Sequence, residues 1–371
     1  MKYSAGFVGF DGTENKRTIP ALYAVQEEAG IEGNINVLLR KPHVRARSTL
    51  SKFLRLYKVK PYITDKADVE EWGKYGVAIQ GGYDDFFQNS DFVMVGTPDG
   101  KETPYIKSGL EYGSLVALMG GAKRPKLLEE LKGSGFEVTD ELAKDFGREF
   151  FFGLENYKLF QEENPQLLQC TSCNTTGICR LTKGAKAVKK DGPVLKMILG
   201  DLNRRQGDPH TEVKASPSAV SIGEKAGHQG KDAGTVFKDV RYSIRANKIP
   251  TTVPHIGFPV LIFEGEVTPA QLLDSLAGTR EVVVMPFKDG DRKHEWTSDY
   301  LEAFLSGFER PISPEIFELL VPNAVILDKL DKYTLLQVPI MVEQMSIAVP
   351  NHVEAYLMGA GLFSRQSSWN C

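Results

Sequence analysis

Short apolar runs alternating with amphipathic, helix-compatible stretches set the rhythm of the first half of this chain. Ala5-Gly6-Phe7-Val8-Gly9-Phe10 reads as a buried strand, and a Gly-bearing turn, Asp11 to Arg17, leads into an apolar-periodic helix from about Ile19 to Glu28. Ile35 to Leu39 reads as a second strand, ending in Arg40-Lys41-Pro42. Ser48 to Tyr57 and Asp65 to Tyr75 read as helices, with Trp72 on the buried face of the second. Strands return at Asp91 to Val95, closed by Gly96-Thr97-Pro98, and at Ser114 to Met119, closed by Gly120-Gly121. Near-continuous apolar runs of this length fit parallel strands covered on both faces. Strand, glycine turn, helix, strand is the opening of a dinucleotide-binding unit, with the cofactor expected at the C-terminal ends of the strands.

The glycine fingerprint of such a unit is eroded. With Gly12 as its central glycine, Phe10 and Asn15 stand where the first and third belong, and Gly9 lies one place out of register. Phe10 and Asn15 are expected to add bulk where backbone should approach a pyrophosphate and where helix meets strand. The end of the second strand carries Arg40 and Lys41, with Arg45 and Arg47 close behind. A basic group at that point accommodates a 2′-phosphate, whereas an acid would hold the ribose hydroxyls of NAD. The other reading is a solvated basic loop.

Past residue 170 the pattern changes. Val194 to Leu199 reads as a strand, followed by Asn203-Arg204-Arg205-Gln206-Gly207-Asp208-Pro209. Residues 210–235 are polar and Gly-rich, too long for a simple connection. Strands follow at Val240 to Ile244, Val260 to Phe263 and Glu281 to Pro286. Thr268-Pro269 is a helix start, Thr as N-cap and Pro in the first turn. After Pro350 a last helix is expected from Val353 to Leu362.

A length of 371 residues argues for two domains. A net charge of −3 argues against nucleic acid or an anionic membrane as the main partner. No basic flank leads into an apolar leader, and no apolar run reaches the length of a membrane span. Four cysteines, three of them crowded between Cys170 and Cys179, are no disulfide framework, so the expectation is a reduced, cytoplasmic protein.

That crowded stretch, Gln169-Cys170-Thr171-Ser172-Cys173-Asn174-Thr175-Thr176-Gly177-Ile178-Cys179-Arg180, is the main candidate for chemistry. A cysteine where a small-polar run enters a helix meets outward N–H groups and is pushed toward thiolate by the dipole. Cys173 is therefore the candidate nucleophile. Two other readings stay open on residue chemistry alone. Cys170, Cys173 and Cys179 have spacings that suit a zinc or iron–sulfur ligand set, and buried cysteines are often inert packing.

Ser172 to Arg180 closely resembles the active-site motif of archaeal-type (type II) glyceraldehyde-3-phosphate dehydrogenases. Other segments follow in that family's order. Arg204 to Pro209 resembles its phosphate-binding Arg-Arg segment, and His228-Gln229-Gly230-Lys231-Asp232 its His-His-Gly-Pro-Asp loop. Pro250 to His255 is similar to the segment ending in the catalytic histidine, and Gln344 to Pro350 to the entry into the C-terminal helix. Gly12-Thr13, Lys16-Arg17, Lys41-Pro42, Ala46-Arg47, Gly96-Thr97-Pro98 and Gly120-Gly121 find counterparts in the first half.

The resemblance implies an α/β protein with an N-terminal Rossmann domain and an α+β catalytic domain on a mostly antiparallel sheet. The expected bounds are 1–171, completed by the C-terminal segment 350–371, and 172–349. It also implies a homotetramer that oxidises glyceraldehyde 3-phosphate, a phosphorylated aldehyde, with NADP or else NAD, and passes the acyl group to inorganic phosphate. Cys173 would be the nucleophile and His255 the base. Ser172, Asn174, Thr175, Arg204, Arg205 and His228 would hold substrate and phosphate. Gly12, Thr13, Arg40, Lys41, Thr97, Gly120, Gly121 and Gln344 would hold the cofactor. The other class of reading is a paralogue that keeps the fold as a binding or regulatory module. Gln229 and Lys231 depart from the family loop, so the anion sites are where this chain is expected to differ.

Overall fold

The computed structural model describes residues 1–12, 14–98, 100–119, 124–145, 149–151, 164–188, 192–205, 227–249, 254–285, 318–344 and 346–362. They form two compact units, one of Met1–Thr171 with Ala348–Asn370, the other of Ser172–Ile347.

The first unit is built on a parallel sheet of β1 (Ala5–Val8), β2 (Ile35–Leu39), β3 (Lys60–Ile63), β4 (Phe92–Val95), β5 (Leu115–Leu118), β6 (Glu149–Phe150) and β7 (Leu167–Cys170). Its order is β3-β2-β1-β4-β5-β7-β6, the strand order of a Rossmann fold. Every residue of β1, β2, β4 and β5 is buried, as strands covered on both faces require. The sequence pattern misses β3 and the short helix Tyr83–Gln88. It also starts the first helix late, because Asn15–Ala29 opens with a polar turn.

The departures at the glycine turn are accommodated. Gly9 takes φ +72°, and a Cβ there would lie 2.4 Å from the Gly96 carbonyl oxygen, so Gly9 is the glycine the turn demands. A Cβ on Gly12 would meet the Gly9 oxygen at 2.9 Å. Phe10 turns into the core, edge-on to Phe53 at 6.5 Å. Asn15 is fully buried, and its Nδ2 donates to the carbonyls of Val8 (3.1 Å) and Gly9 (3.0 Å). An amide that satisfies two strand-end carbonyls replaces the close helix–strand contact a glycine would make.

The last helix, Val349–Gly359, completes this unit. Asn351 Nδ2 donates to Thr171 Oγ1 at 2.8 Å, fixing the residue that follows β7 within the cysteine stretch. Gln26 Nε2 donates to the Tyr356 hydroxyl, which donates to the Tyr3 carbonyl, each at 2.7 Å. His352 is fully buried, with Nδ1 3.0 Å from Thr18 Oγ1.

The second unit carries a mixed sheet of β8 (Val194–Arg205), β9 (Arg241–Ile249), β10 (Pro254–Gly257), β11 (Val260–Glu264), β12 (Val282–Met285), β13 (Leu319–Pro322), β14 (Ile326–Leu330), β15 (Tyr333–Gln337) and β16 (Ile340–Glu343). The order is β12-β13-β16-β10-β8-β11-β15-β14, with β9 beside β8, and only β12–β13 and β8–β9 pair in parallel. Three expectations are corrected here. The strand expected to stop at Leu199 runs on to Arg205, the next extends to Ile249, and the polar connection gives way to a helix, His228–Val236. Polar side chains at the open end of a sheet hid both strand extensions. The Thr268 helix start has a full capping box with Gln271. Among the described residues no helix is long and apolar enough to cross a membrane.

Burial pushes the His352 imidazole down to about 3. It is neutral when folded, while the unfolded chain takes up its proton near pH 6.5. The unfolded state therefore binds more protons between those values, and stability falls as pH drops through that window, by at most about 1.4 kcal/mol per pH unit. A His352→Gln variant should show a flatter acid limb than wild type in thermal melts between about pH 7 and pH 4. An unchanged slope would mean that His352 stays solvated.

Candidate active site

The cysteine stretch behaves as a strand–helix junction. β7 ends at Cys170, Ser172 is the N-cap with extended backbone, and Cys173 is the first residue of the helix Cys173–Lys186. The Ser172 carbonyl accepts the Thr176 N–H at 2.7 Å, and its hydroxyl lies 2.9 Å from Thr175 Oγ1. Cys170 and Cys179 are fully buried; Cys173 keeps slight exposure, 8%. Among the described residues no cluster of His, Cys, Asp and Glu is arranged to hold a metal ion.

Two features seat this helix on the second sheet. Gly177, one turn past Cys173, faces β16 so closely that a Cβ would lie 2.6 Å from Val342 Cγ2. Farther along, the Arg180 side chain is buried. Its Nη2 donates to the Ile347 carbonyl at 3.0 Å, and its Nη1 lies 3.4 Å from the Glu281 carbonyl. Burial lowers the guanidinium to about 10, against the pull of Glu281 and Glu318. Burial likewise raises the Glu281 carboxyl, with Arg180 and Arg280 opposing it. In both groups desolvation outweighs the attraction, so the cluster holds geometry at an energetic cost.

Register then assembles the rest. In an antiparallel pair, opposed residues share a face. His255 on β10 is opposed to Val342 on β16, and Ile256 to Asn203 on β8. One step along that ladder, His255 and Arg204 come level. Arg204 in turn pairs with Lys248 on β9. Val342, His255, Arg204 and Lys248 thus share the sheet face against which the cysteine helix lies. His255 is 2% exposed. The helix His228–Val236 joins the same face, since a Cβ on Gly227 would be 3.4 Å from Ala246 Cβ, and one on Gly230 3.1 Å from Tyr242 Cβ. Tyr242 and Thr182 of the cysteine helix meet through their hydroxyls at 3.1 Å. Gln344 directly follows β16, where Glu343 pairs with Pro254 beside His255.

Several buried polar atoms of this unit make no hydrogen bond among the described residues: Asn174 Oδ1, Arg204 Nε, Gln344 Oε1 and Ser346 Oγ. Buried polar atoms are normally paired, so such a set suits bound polar groups. In the first unit, Gly9, Gly12, Gly96 and Thr97 gather at the C-terminal ends of β1 and β4, a backbone surface that fits a pyrophosphate. Arg40 and Lys41 are exposed at the end of β2. The Arg40 guanidinium bonds the Tyr105 hydroxyl, and its carbonyl accepts from Trp72 Nε1 at 2.7 Å. Arg45, which is not among the candidate residues, donates to the Asp11 carbonyl at 2.5 Å and flanks the glycine turn. The sequence places it only as part of the basic cluster behind Arg40 and Lys41. Thr13, Gly120 and Gly121 lie outside the described residues, and Arg205 is described only as the last residue of β8.

No family model matches the chain. Curated relatives do. The chain is 26% identical over 362 residues to "Glyceraldehyde-3-phosphate dehydrogenase" of Sulfolobus acidocaldarius, covering 96% of this chain and 92% of that protein. It is 26% identical over 281 residues to the protein of the same name from Methanothermus fervidus, covering 75% and 73%. This chain is a divergent relative of archaeal-type glyceraldehyde-3-phosphate dehydrogenases. Its fold is also that of the crystal structure of aspartate semialdehyde dehydrogenase II from Vibrio cholerae, with a TM-score of 0.58 over 99% of this chain and 100% of that one at 10% identity. The two-unit architecture of these dehydrogenases is thus shared.

Removing the Arg180 side-chain cation would leave the Ile347 carbonyl without its donor and take a charge from beside Glu318 and Glu281, the latter keeping Arg280 Nε at 2.6 Å. Arg180→Met should destabilise the protein by about 2–4 kcal/mol in denaturant unfolding. A change under about 1 kcal/mol would mean that water reaches the cluster.

Proposed function

We propose that this protein is a phosphorylating aldehyde dehydrogenase that oxidises glyceraldehyde 3-phosphate to 1,3-bisphosphoglycerate. The carrying observation is the single sheet face shared by His255 and Arg204 and covered by the helix that begins at Cys173. Cys173 attacks the aldehyde carbon, in a helical turn whose N–H groups point at the reacting end. His255 takes the hydroxyl proton as the carbonyl reforms. A nicotinamide cofactor supplies the hydride acceptor. The resulting cysteine thioester is cleaved by inorganic phosphate, which regenerates the thiolate. Arg204, Arg205 and His228 hold the substrate phosphate and the attacking phosphate, because guanidinium groups bind such anions bidentately. Ser172, Asn174 and Thr175 steady the oxyanion end.

The names of the relatives and the orphaned polar atoms support this reading over a non-catalytic paralogue. The altered glycine turn is the best support for the paralogue, and the inward Phe10 and the Asn15 hydrogen bonds to Val8 and Gly9 weigh against it. Gly12, Thr13, Thr97, Gly120, Gly121 and Gln344 serve the cofactor in this reading. Arg40 and Lys41 favour the 2′-phosphate of NADP. A reaction through a reduced thiolate suits a reducing, cytoplasmic compartment. A homotetramer is supported by the far face of the second sheet. Met197, Leu199, Val260, Ile262 and Leu335 are only half-buried there, and Phe258 (45%) and Ile326 (62%) are exposed.

The test is reduced-cofactor formation from glyceraldehyde 3-phosphate with NADP or NAD, with and without phosphate. Wild type should show phosphate-dependent reduction, and Cys173→Ser should lose at least about three orders of magnitude in kcat. A Cys173→Ser enzyme that keeps its rate would exclude the thioester route. Arg40→Ala with Lys41→Ala should narrow the NADP-to-NAD ratio in kcat/KM; an unchanged ratio removes these residues from the 2′-phosphate site. Light scattering on the same sample should give four times the mass of the 41.1 kDa chain. A monomer would mean that the apolar sheet face is left in water.

A further inference from the structure

The segment that differs from the His-His-Gly-Pro-Asp pattern folds into a knot of side chains. His228 opens the helix His228–Val236 with both ring nitrogens engaged. Nδ1 lies 2.6 Å from Asp232 Oδ2, one turn along, and Nε2 lies 3.0 Å from the Gln229 side-chain amide. Gln229 is 1% exposed, whereas the His228 side chain is 45% exposed, so a buried amide holds a ring whose outer edge meets solvent.

An amide is a partner the ring cannot outgrow. Its N–H₂ serves the lone pair of neutral imidazole; rotated by half a turn, its carbonyl serves the N–H of imidazolium. In either protonation state Asp232 keeps Nδ1 and Gln229 keeps Nε2. An anion would have to displace the amide to receive a hydrogen bond from His228.

Anions are what the surroundings suit. Ala246, which faces Gly227, lies two residues before Lys248 on the same face of β9, and Lys248 pairs with Arg204. Arg204 Nε is buried without a hydrogen bond among the described residues. We propose that Gln229 sets the anion affinity of this site by occupying His228 Nε2, a brake on phosphate binding. This inference rests on the reading that Arg204 and His228 border a phosphate site.

Gly227 provides a way to lift the brake without touching either partner. Its backbone (φ −64°, ψ 158°) is open to any residue, yet an alanine Cβ would sit 2.3 Å from Gln229 Oε1. Gly227→Ala must therefore push the amide aside, as Gln229→Met removes it.

Calorimetric titration of the full-length protein with inorganic phosphate tests the idea. Gln229→Met and Gly227→Ala should each tighten phosphate binding about tenfold, the worth of one charge-assisted hydrogen bond. His228→Asn should cancel the gain in both backgrounds, weakening phosphate binding more in Gln229→Met and Gly227→Ala than in wild type. The proposal is overturned if neither variant tightens binding, or if His228→Asn alone weakens wild type as much as it weakens the variants. Arg204→Ala reports separately on the site. Unchanged phosphate binding there overturns the reading of Arg204 even where the Gln229 effect stands.

Discussion

The helix that carries Cys173 can lie against its sheet because residue 177 has no side chain, and much else in the second unit depends on that approach. A Cβ at this point would stand 2.6 Å from Val342, well inside van der Waals contact. Val342 is opposed to His255, so the contact that seats the helix also sets the level at which the histidine meets it. Arg180 secures the same helix from its other side, through the carbonyls of Ile347 and Glu281. The geometry rests on one missing methyl and one buried cation.

The buried cation is held in place against a desolvation cost. Burial depresses Arg180 and raises Glu281 despite their attraction, which is the behaviour of a cluster that loses more hydration than it regains. Its value lies in direction, since a planar guanidinium with fixed partners admits few alternative seatings of the helix. The backbone of Glu281 sits at φ +60°, a conformation unusual for glutamate, and its carbonyl accepts from Leu319 N–H as well as facing Arg180. Strain and burial concentrate at the joint between helix and sheet, where precision matters most.

The first unit meets a different constraint. Its glycine turn has lost two fingerprint positions, yet Gly9 supplies the left-handed backbone and Asn15 supplies hydrogen bonds where a glycine would have allowed contact. Sequence pattern alone counts these as erosion, because a pattern assigns each position a role in isolation. In the structure Gly9, one place out of register, takes the demanding conformation.

What the sequence determined by itself was local or ordered along the chain. Continuous apolar runs announced β1, β2, β4 and β5, Thr268-Pro269 announced its helix, and the small-polar stretch put Cys173 at a helix start. Each follows from interactions within a few residues, or from burial on both faces. The order of motifs likewise pointed to the dehydrogenase relatives. Only tertiary structure decided what depends on register between distant strands: that Arg204 falls level with His255, and that Lys248 joins them. The polar ends of β8 and β9 hid those strands, since side chains facing a site lack the apolar alternation that marks a strand. The hold of Gln229 on His228 was equally invisible, because a one-residue separation acquires meaning only when a helix turns both side chains onto Asp232 and Gly227.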